Sequence, residues 1–335
     1  MKTVAWILTV VFGLAFLGAT LMNAELIGRS RQALASVGIH DKGLSEPARY
    51  HLVVVIPDSN DSFFQGLLEG VRESAPKADA AVQVFRYPGT IPAEAEQYYE
   101  IALRAKVDGL VMFTPRDDRT VERAEKARRS GVVFIPVGID PPAGNPPGFI
   151  GTGSLRQGLE GGRRICSRLG DAARVGVILP ATGSGDPTLE PLYRGVAAAL
   201  KVFPGAAVVS ALRAEPGVLS GVETASTMLR SHPEINALFC SSSQDTVGAA
   251  QVVVDLNRVG RVLIIGADAS PEIRRYLERG IIAASIVRNS QWIGQQAVAA
   301  FFRAKENHPW LAPQEADFSI MLATTGSPAD SGGAR

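Results

Sequence analysis

From residue 50 onwards, short continuous apolar runs alternate with longer amphipathic stretches, and this alternation constrains the fold more than any other feature. The runs are rich in valine and isoleucine and lack polar alternation, so they predict strands that are buried on both faces. The first such strands are predicted at 51–56, 81–85, 109–113 and 132–137. The helical stretches between them lie at 63–75, 93–106 and 120–129. This order predicts a doubly wound parallel sheet covered by helices.

A break rich in proline and glycine at 139–148 interrupts the rhythm, and a second cycle of the same kind follows it. Its predicted strands lie at 174–179, 206–212, 236–240, 262–268 and 283–287. Its predicted helices lie at 155–169, 190–202, 218–231, 245–256, 271–279 and 292–305. The predicted fold class is therefore α/β, with two similar lobes that are each a doubly wound parallel sheet.

The composition supports two cores and argues against nucleic acid or metal as a partner. With 335 residues, of which 46% are hydrophobic, the chain is long enough for two core-bearing lobes. Its 34 basic and 33 acidic residues leave a net charge of +1, which gives no global attraction to nucleic acid or anionic lipid. Cys166 and Cys240 lack the spacing of a metal site. They are predicted as small buried apolar side chains rather than as a disulfide.

The N-terminal segment 1–24 contains an uncharged stretch, VAWILTVVFGLAFLGATLM, with Lys2 before it. The stretch is longer than the apolar part of a cleaved signal peptide and precedes a poor cleavage site. These features favour an uncleaved hydrophobic helix that tethers the chain to the membrane, with a cleaved signal peptide as the alternative. Either would place the remainder of the chain outside the cytoplasm. Residues 25–49 are predicted as a spacer and 326–335 as a disordered tail.

Motifs that would indicate an enzyme are missing from the sequence. The segment GTGSLRQG has its third glycine displaced from the dinucleotide-binding spacing, and no P-loop or G-x-S-x-G pattern occurs. The four histidines lie in the spacer, at a strand start and beside prolines, where none is placed as a general base. We therefore predict no catalytic residue, no cofactor and no metal site.

Six segments, in this order, resemble the type I periplasmic sugar-binding proteins, which share their fold with the effector domain of lactose-repressor-type regulators. They are DSFFQGLLEGV, DGLVMFTPRD, GVVFIPVGID, FIGTGSLRQG, HPEINALFCSSSQDTVGAA and VLIIGADASPE. The resemblance implies one binding domain at 50–325, in which a hinge joins two lobes around a ligand cleft. The first lobe would comprise about 50–140 and part of 290–322, and the second about 150–288.

Residues that follow the predicted strands are the candidate ligand contacts, because ligands in open α/β sheets lie beyond the carboxyl ends of the strands. With the resemblance, this placement predicts nine contacts: Asp61, Phe63, Phe64, Arg116, Asp140, Arg194, Ser242, Asp268 and Arg288. The resemblance implies that the phenylalanines and Asp268 contact a sugar. It also implies that Asp61, Ser242 and Arg288 stand where this family has amide side chains. A solvated helix position for Arg194 and a helix cap for Asp268 are the alternatives.

These positions predict the kind of ligand and of partner. Arg194 and Arg288 would place two guanidinium groups in the cleft, which suggests a polar and anionic sugar derivative, unless Asp61 and Asp268 pair with them. The predicted function is capture of a sugar or sugar-like ligand by hinge closure. The partner would be an ABC permease, or a membrane sensor kinase or chemoreceptor. A transcription regulator is disfavoured, because an apolar segment stands where a DNA-binding helix-turn-helix would be needed. An α/β enzyme is the least favoured alternative.

Overall fold

The computed structural model describes residues 48–88, 92–114, 119–141, 146, 148–181, 185–306 and 312–323. The predicted hydrophobic helix, nearly all of the predicted spacer, the predicted tail and Arg116 lie outside these residues. In the part of the chain that the structure describes, no helix is both long and apolar enough to cross a membrane.

The described residues form twelve β-strands and nine α-helices. The strands are β1 (Tyr50–Asp58), β2 (Ala80–Pro88), β3 (Gly109–Phe113), β4 (Val133–Ile139), β5 (Ile150–Thr152), β6 (Arg174–Pro180), β7 (Ala207–Ala214), β8 (Ala237–Cys240), β9 (Leu263–Ala267), β10 (Ala284–Arg288), β11 (Gln314–Ala316) and β12 (Phe318–Leu322). The helices are α1 (Ser62–Ser74), α2 (Pro92–Arg104), α3 (Thr120–Arg129), α4 (Ser154–Leu169), α5 (Pro191–Leu200), α6 (Val218–Ser231), α7 (Ser243–Asp255), α8 (Pro271–Glu278) and α9 (Ser290–Lys305). All predicted strands and helices are confirmed, with ends that differ by at most three residues.

Two six-stranded sheets form the two lobes. The first has the strand order β11-β5-β4-β3-β1-β2 and the second has the order β12-β10-β9-β8-β6-β7. The strands pair in parallel throughout, except that β12 is antiparallel to β10. The three strands absent from the prediction are β5, β11 and β12. They lie at or next to the sheet edge, and they are either very short or alternate in exposure.

The chain passes between the lobes three times, at Gly153, Asn289 and Asp317. Because β5 belongs to the first sheet, the first crossover comes after Thr152 and not in the proline- and glycine-rich break at 139–148. Helix α9 and strand β11 are the part of 290–322 that returns to the first lobe, while β12 joins the second. The lobes therefore exchange elements near the crossovers, as in a three-stranded hinge.

Both sheets are covered by helices on both faces, which explains their continuous apolar strands. In β1, Leu52 and Val54 pack with α1 and α9 on one face. Val53 and Val55 pack on the other face, with α2. Cys166 and Cys240 are buried free thiols in the second lobe, which confirms their prediction as apolar core residues.

Each crossover helix packs against the first helix of the lobe that it enters, and glycines allow close approach. A Cβ atom on Gly294 of α9 would lie 2.1 Å from the carbonyl oxygen of Leu67 in α1. A Cβ atom on Gly158 of α4 would likewise lie 2.1 Å from the carbonyl oxygen of Leu192 in α5. Both glycines are the fifth residue of their crossover helix, so the two lobes repeat one packing arrangement. This packing fixes the N-termini of α1, α4, α5 and α9 near the space between the lobes.

Candidate functional site

A cavity of about 210 Å³ lies between the carboxyl ends of the two sheets and is lined by both lobes. Phe64 and Asp140 line it from the first lobe, while Leu192, Ser242 and Asp245 line it from the second. In a parallel sheet this edge collects the residues that follow each strand, which is where the sequence predicted ligand contacts. The cavity is therefore the candidate binding site.

Three phenylalanines form an apolar wall on the first-lobe side. The ring of Phe64 meets the ring of Phe113 edge to face at 5.0 Å, and Phe63 meets Phe64 at 5.4 Å. Phe63 is 1% exposed and belongs to the core, whereas Phe64 is only partly buried, and all three rings line the cavity. Neighbouring helical positions point about 100° apart, so one ring anchors helix α1 and the other is available to a ligand.

Arg288 lies at the floor of the cavity in a fully formed ion pair. Its Nε donates to both carboxylate oxygens of Asp268, at 2.9 and 3.0 Å, and its terminal nitrogen donates to Oδ2. The guanidinium carbon lies 4.7 Å from the ring centre of Phe63 and a terminal nitrogen lies 3.8 Å from Asp61. Arg288, Asp268 and Asp61 are all buried. The predicted alternative, in which the aspartates pair with an arginine, is therefore found for Arg288.

Asp61 has a second structural role as the N-cap of α1. Its Oδ1 accepts a hydrogen bond of 2.9 Å from the Phe63 backbone N–H. Burial raises the pKa of its carboxyl group, which the charge of Arg288 opposes. The side chain lines the cavity while it holds the helix start in place.

Asp140 and Asp268 occupy equivalent places in the two lobes. Each follows a strand with a left-handed backbone, at φ of 61° and 60°. Their backbone N–H groups donate to the neighbouring strand, at 2.7 Å to Thr152 and 2.8 Å to Ile286. Their carboxylates accept the backbone N–H group two residues further along the chain, from Ser154 at 2.7 Å and from Arg288 at 3.1 Å. Asp140 lines the cavity. Asp268 is hydrogen-bonded to Arg288 and is not among the residues that line the cavity, so its contact with ligand stays a prediction.

Arg194 does not lie where it was predicted. It is exposed on α5, because helical periodicity turns Leu192, Gly195 and Val196 into the lobe and Arg194 away from it. The alternative of a solvated helix residue therefore describes it. Ser242 does line the cavity, as the N-cap of α7. Its Oγ accepts from the Asp245 backbone N–H at 3.1 Å. Arg116 lies outside the described residues.

Asp245 and Gln244 were not predicted, although both line the cavity. Asp245 is 3% exposed, and its Oδ2 accepts a hydrogen bond of 3.0 Å from Ser241. Burial raises the pKa of this carboxyl group to about 7. Gln244 accepts from the Gly217 backbone N–H at 2.9 Å. The sequence did contain a signal for these two residues. The polar run SSSQD directly follows a buried strand, so the helix that begins there faces the cleft.

The lobes touch across the cavity through polar groups. The Ser62 backbone N–H donates to Ser243 Oγ at 3.1 Å, and Ser59 Oγ donates to Gln244 at 3.4 Å. On the second-lobe wall of the cavity, the carboxylate of Glu190 accepts a hydrogen bond of 2.7 Å from the guanidinium of Arg213 in the same lobe. Polar contacts between the lobes therefore border the cavity.

In the described part of the chain, no three His, Cys, Asp or Glu side chains are placed together so that they could hold a metal ion. The charged side chains at the cavity are instead placed for hydrogen bonding and ion pairing. In chemical terms, the site offers an apolar ring surface opposite hydroxyl, amide and carboxylate groups, an arrangement suited to binding a small polar molecule.

Comparisons with known proteins place this geometry in context. A family model described as "Periplasmic binding protein domain" matches residues 52–307. The D-allose-binding periplasmic protein of Escherichia coli K12 is 22% identical over 263 residues, covering 76% of this chain and 84% of that protein.

Two solved structures share the fold. An ABC transporter solute binding protein from Burkholderia graminis C4D1M, in complex with D-arabinose, matches with a TM-score of 0.75 and 20% identity, covering 83% of this chain and 97% of that one. A chain of the XylFII-LytSN complex matches with a TM-score of 0.73 and 21% identity, covering 82% of this chain and 98% of that one.

Proposed function

Since the chain belongs to the periplasmic binding protein domain family, we propose that it captures a sugar or sugar-like solute in the interlobe cavity by hinge closure. The family consists of solute-binding proteins, so the chain is a binding protein rather than an enzyme. The predicted type I sugar-binding family is confirmed by the family model, the relatives and the fold.

One observation carries the proposal of a sugar-like ligand. The partly buried ring of Phe64 faces a cavity whose opposite wall is the polar start of α7, with Ser242, Gln244 and Asp245. Sugars have apolar C–H faces and several hydroxyl groups, so they match a ring on one side and hydrogen-bonding groups on the other. The D-arabinose complex of a protein with the same fold supports this choice.

We do not retain the anionic ligand that the sequence suggested. It required two available guanidinium groups, but Arg194 is exposed and Arg288 is engaged by Asp268. We therefore favour neutral sugars over sugar acids and sugar phosphates for the proposed capture, and the anionic compounds become one arm of the test.

Two partners fit the proposal. Delivery to an ABC permease is supported by the solute-binding relative of that transporter class. Signalling through a membrane sensor is supported by a same-fold protein that occurs in a complex with LytSN. A location outside the cytoplasm, with tethering by the apolar N-terminal stretch, is part of the proposal and agrees with the periplasmic relative.

The test is thermal unfolding of the full chain with neutral pentoses and hexoses, their uronic acids and their phosphates. A solute that binds the native state stabilises it by about 2.7 kcal/mol at one hundred times its Kd. We expect a concentration-dependent rise in Tm with at least one neutral sugar. A rise in Tm with uronic acids or sugar phosphates alone would instead indicate an anionic ligand. The absence of any shift at millimolar concentration would contradict capture of a sugar.

A further inference from the structure

Among the described residues, carboxyl groups outnumber cationic groups at the buried floor of the cavity. The carboxyl groups of Asp61, Asp245 and Asp268 lie near one described guanidinium, that of Arg288. All four side chains are buried, with at most 7% of their surface exposed. A buried surplus of one sign is costly unless an opposite charge accompanies it.

Arg288 cannot neutralise the whole group. Its hydrogen bonds go to Asp268, and a terminal nitrogen lies 3.8 Å from Asp61. The other described cation at the cavity is Arg123, whose Nε donates to Glu96 at 3.0 Å. The described positive charges at the cavity are thus already paired with particular carboxylates.

Asp245 takes part in none of these ion pairs. No arginine, lysine or histidine within the described ranges forms an ion pair with it, and its side chain accepts from the hydroxyl of Ser241. The N-terminal end of α7 partly stabilises its negative charge. Burial, with a smaller contribution from the nearby Asp61, nevertheless raises its pKa to about 7, against the opposing effects of Ser242, Ser241 and Arg288. Burial raises the pKa of the thiol of Cys240 on the preceding strand, and the negative charge of Asp245 raises it further.

We propose that the captured solute is a polyhydroxylated amine, such as an amino sugar, whose protonated amine pairs with Asp245. This inference rests on the proposed function, because it assigns the ligand class of the same cavity. An ammonium group would supply the missing positive charge beside a carboxylate that already lines the cavity. The ring of Phe64 and the hydroxyl and amide groups of Ser242 and Gln244 would contact the remainder of the sugar.

The test is calorimetric titration of the full chain at neutral pH with matched sugars that differ in one amine. Glucose is compared with 2-amino-2-deoxyglucose and 6-amino-6-deoxyglucose, and galactose with its corresponding amines. Each N-acetylated form keeps the nitrogen at the same position and removes its charge while adding an acetyl group, and the parent sugar controls for that added bulk. We expect at least one amine to bind ten times or more tighter than both its parent sugar and its acetylated form.

Two variants assign the effect to one carboxylate. Asp245→Asn keeps the size of the side chain and removes the charge, so it should weaken binding of the amine by a much larger factor than binding of the neutral parent. Asp255→Asn, an exposed change at the end of the same helix, should leave all affinities unchanged.

The outcomes separate this inference from the proposed function. If a neutral parent binds as tightly as every amine, or if Asp245→Asn weakens parent and amine equally, the assignment of an amine is overturned and capture of a sugar stands. If a uronic acid binds more tightly than its matched neutral sugar and amine, the inference is likewise overturned. If no sugar of any kind binds, both proposals fail.

Discussion

At the scale of single residues, Arg288 shows how a side chain can be placed correctly and still have a different role. The sequence predicted it at the carboxyl end of a strand, and the structure puts it at the cavity. Its ion-pair partners, Asp268 and Asp61, come from different segments of the chain. Such pairing depends on side-chain geometry in three dimensions, which strand order alone does not define.

Replacing Arg288 by methionine should strongly destabilise the protein. The change leaves the buried carboxylates of Asp268 and Asp61 without their cation, and breaking a buried pair on one side costs about 3–5 kcal/mol. Urea unfolding of the ligand-free chain measures the loss. Arg194→Met is the matched control, because Arg194 is exposed and should change the free energy of unfolding by less than about 0.5 kcal/mol. Equal effects of the two variants would contradict the ion pair.

The carboxyl group of Asp245 should make stability depend on pH. Its pKa is about 7 in the folded protein and 3.8 without the protein environment, so the folded state holds the proton more tightly. Its contribution is therefore fully present below pH 4 and is lost as the pH rises through 7. Asp245→Asn should remove this part of the pH dependence. At pH 8 the ligand-free variant should be more stable than the wild type, on the order of a few kcal/mol.

The comparison of wild type and Asp245→Asn isolates this group, because Asp61 also has a raised pKa and contributes in the same direction. Urea unfolding at a series of pH values gives the two curves. Parallel curves from pH 4 to pH 8 would mean that the carboxyl group of Asp245 has an ordinary pKa.

At the scale of elements, the sequence was sufficient for most helices and strands. Continuous apolar runs define strands buried on both faces, and helical periodicity defines the layers between them. Strands β5, β11 and β12 were missed because pairing with a neighbour near the sheet edge, rather than any local pattern, makes them strands. Arg194 was misplaced for a related reason, since the direction that a helical residue faces depends on which side of the helix packs.

The contact between α1 and α9 should not tolerate a methyl group at Gly294. A Cβ atom there would lie 2.1 Å from the carbonyl oxygen of Leu67, so Gly294→Ala should force the helices apart. Overpacking of this kind costs about 1–3 kcal/mol, although alanine favours a helix by about 1 kcal/mol over glycine. Ala299→Gly, an exposed change on the same helix, measures that intrinsic difference. A more stable Gly294→Ala variant in urea unfolding would contradict the close packing.

At the scale of the whole molecule, two repeated lobes meet at a cavity that neither could form alone. The repetition extends to Asp140 and Asp268, which have the same backbone conformation and the same hydrogen-bonding pattern in the two lobes. The lobes differ in the hydrogen-bond partner of these carboxylates, which is Ser154 in the first lobe and Arg288 in the second. The sequence predicted the two lobes, whereas this difference in detail required the structure.

The central claim is that the interlobe cavity captures a sugar-like solute against Phe64, and direct binding tests it best. Calorimetric titration of the full chain with arabinose, ribose, allose, glucose and their amino derivatives should give saturable one-site binding for at least one of them. Phe64→Ala should weaken that binding tenfold or more, while Leu219→Ala, an exposed change in the second lobe, should leave it unchanged. The absence of binding at millimolar concentration, or binding that Phe64→Ala leaves intact, would contradict the claim.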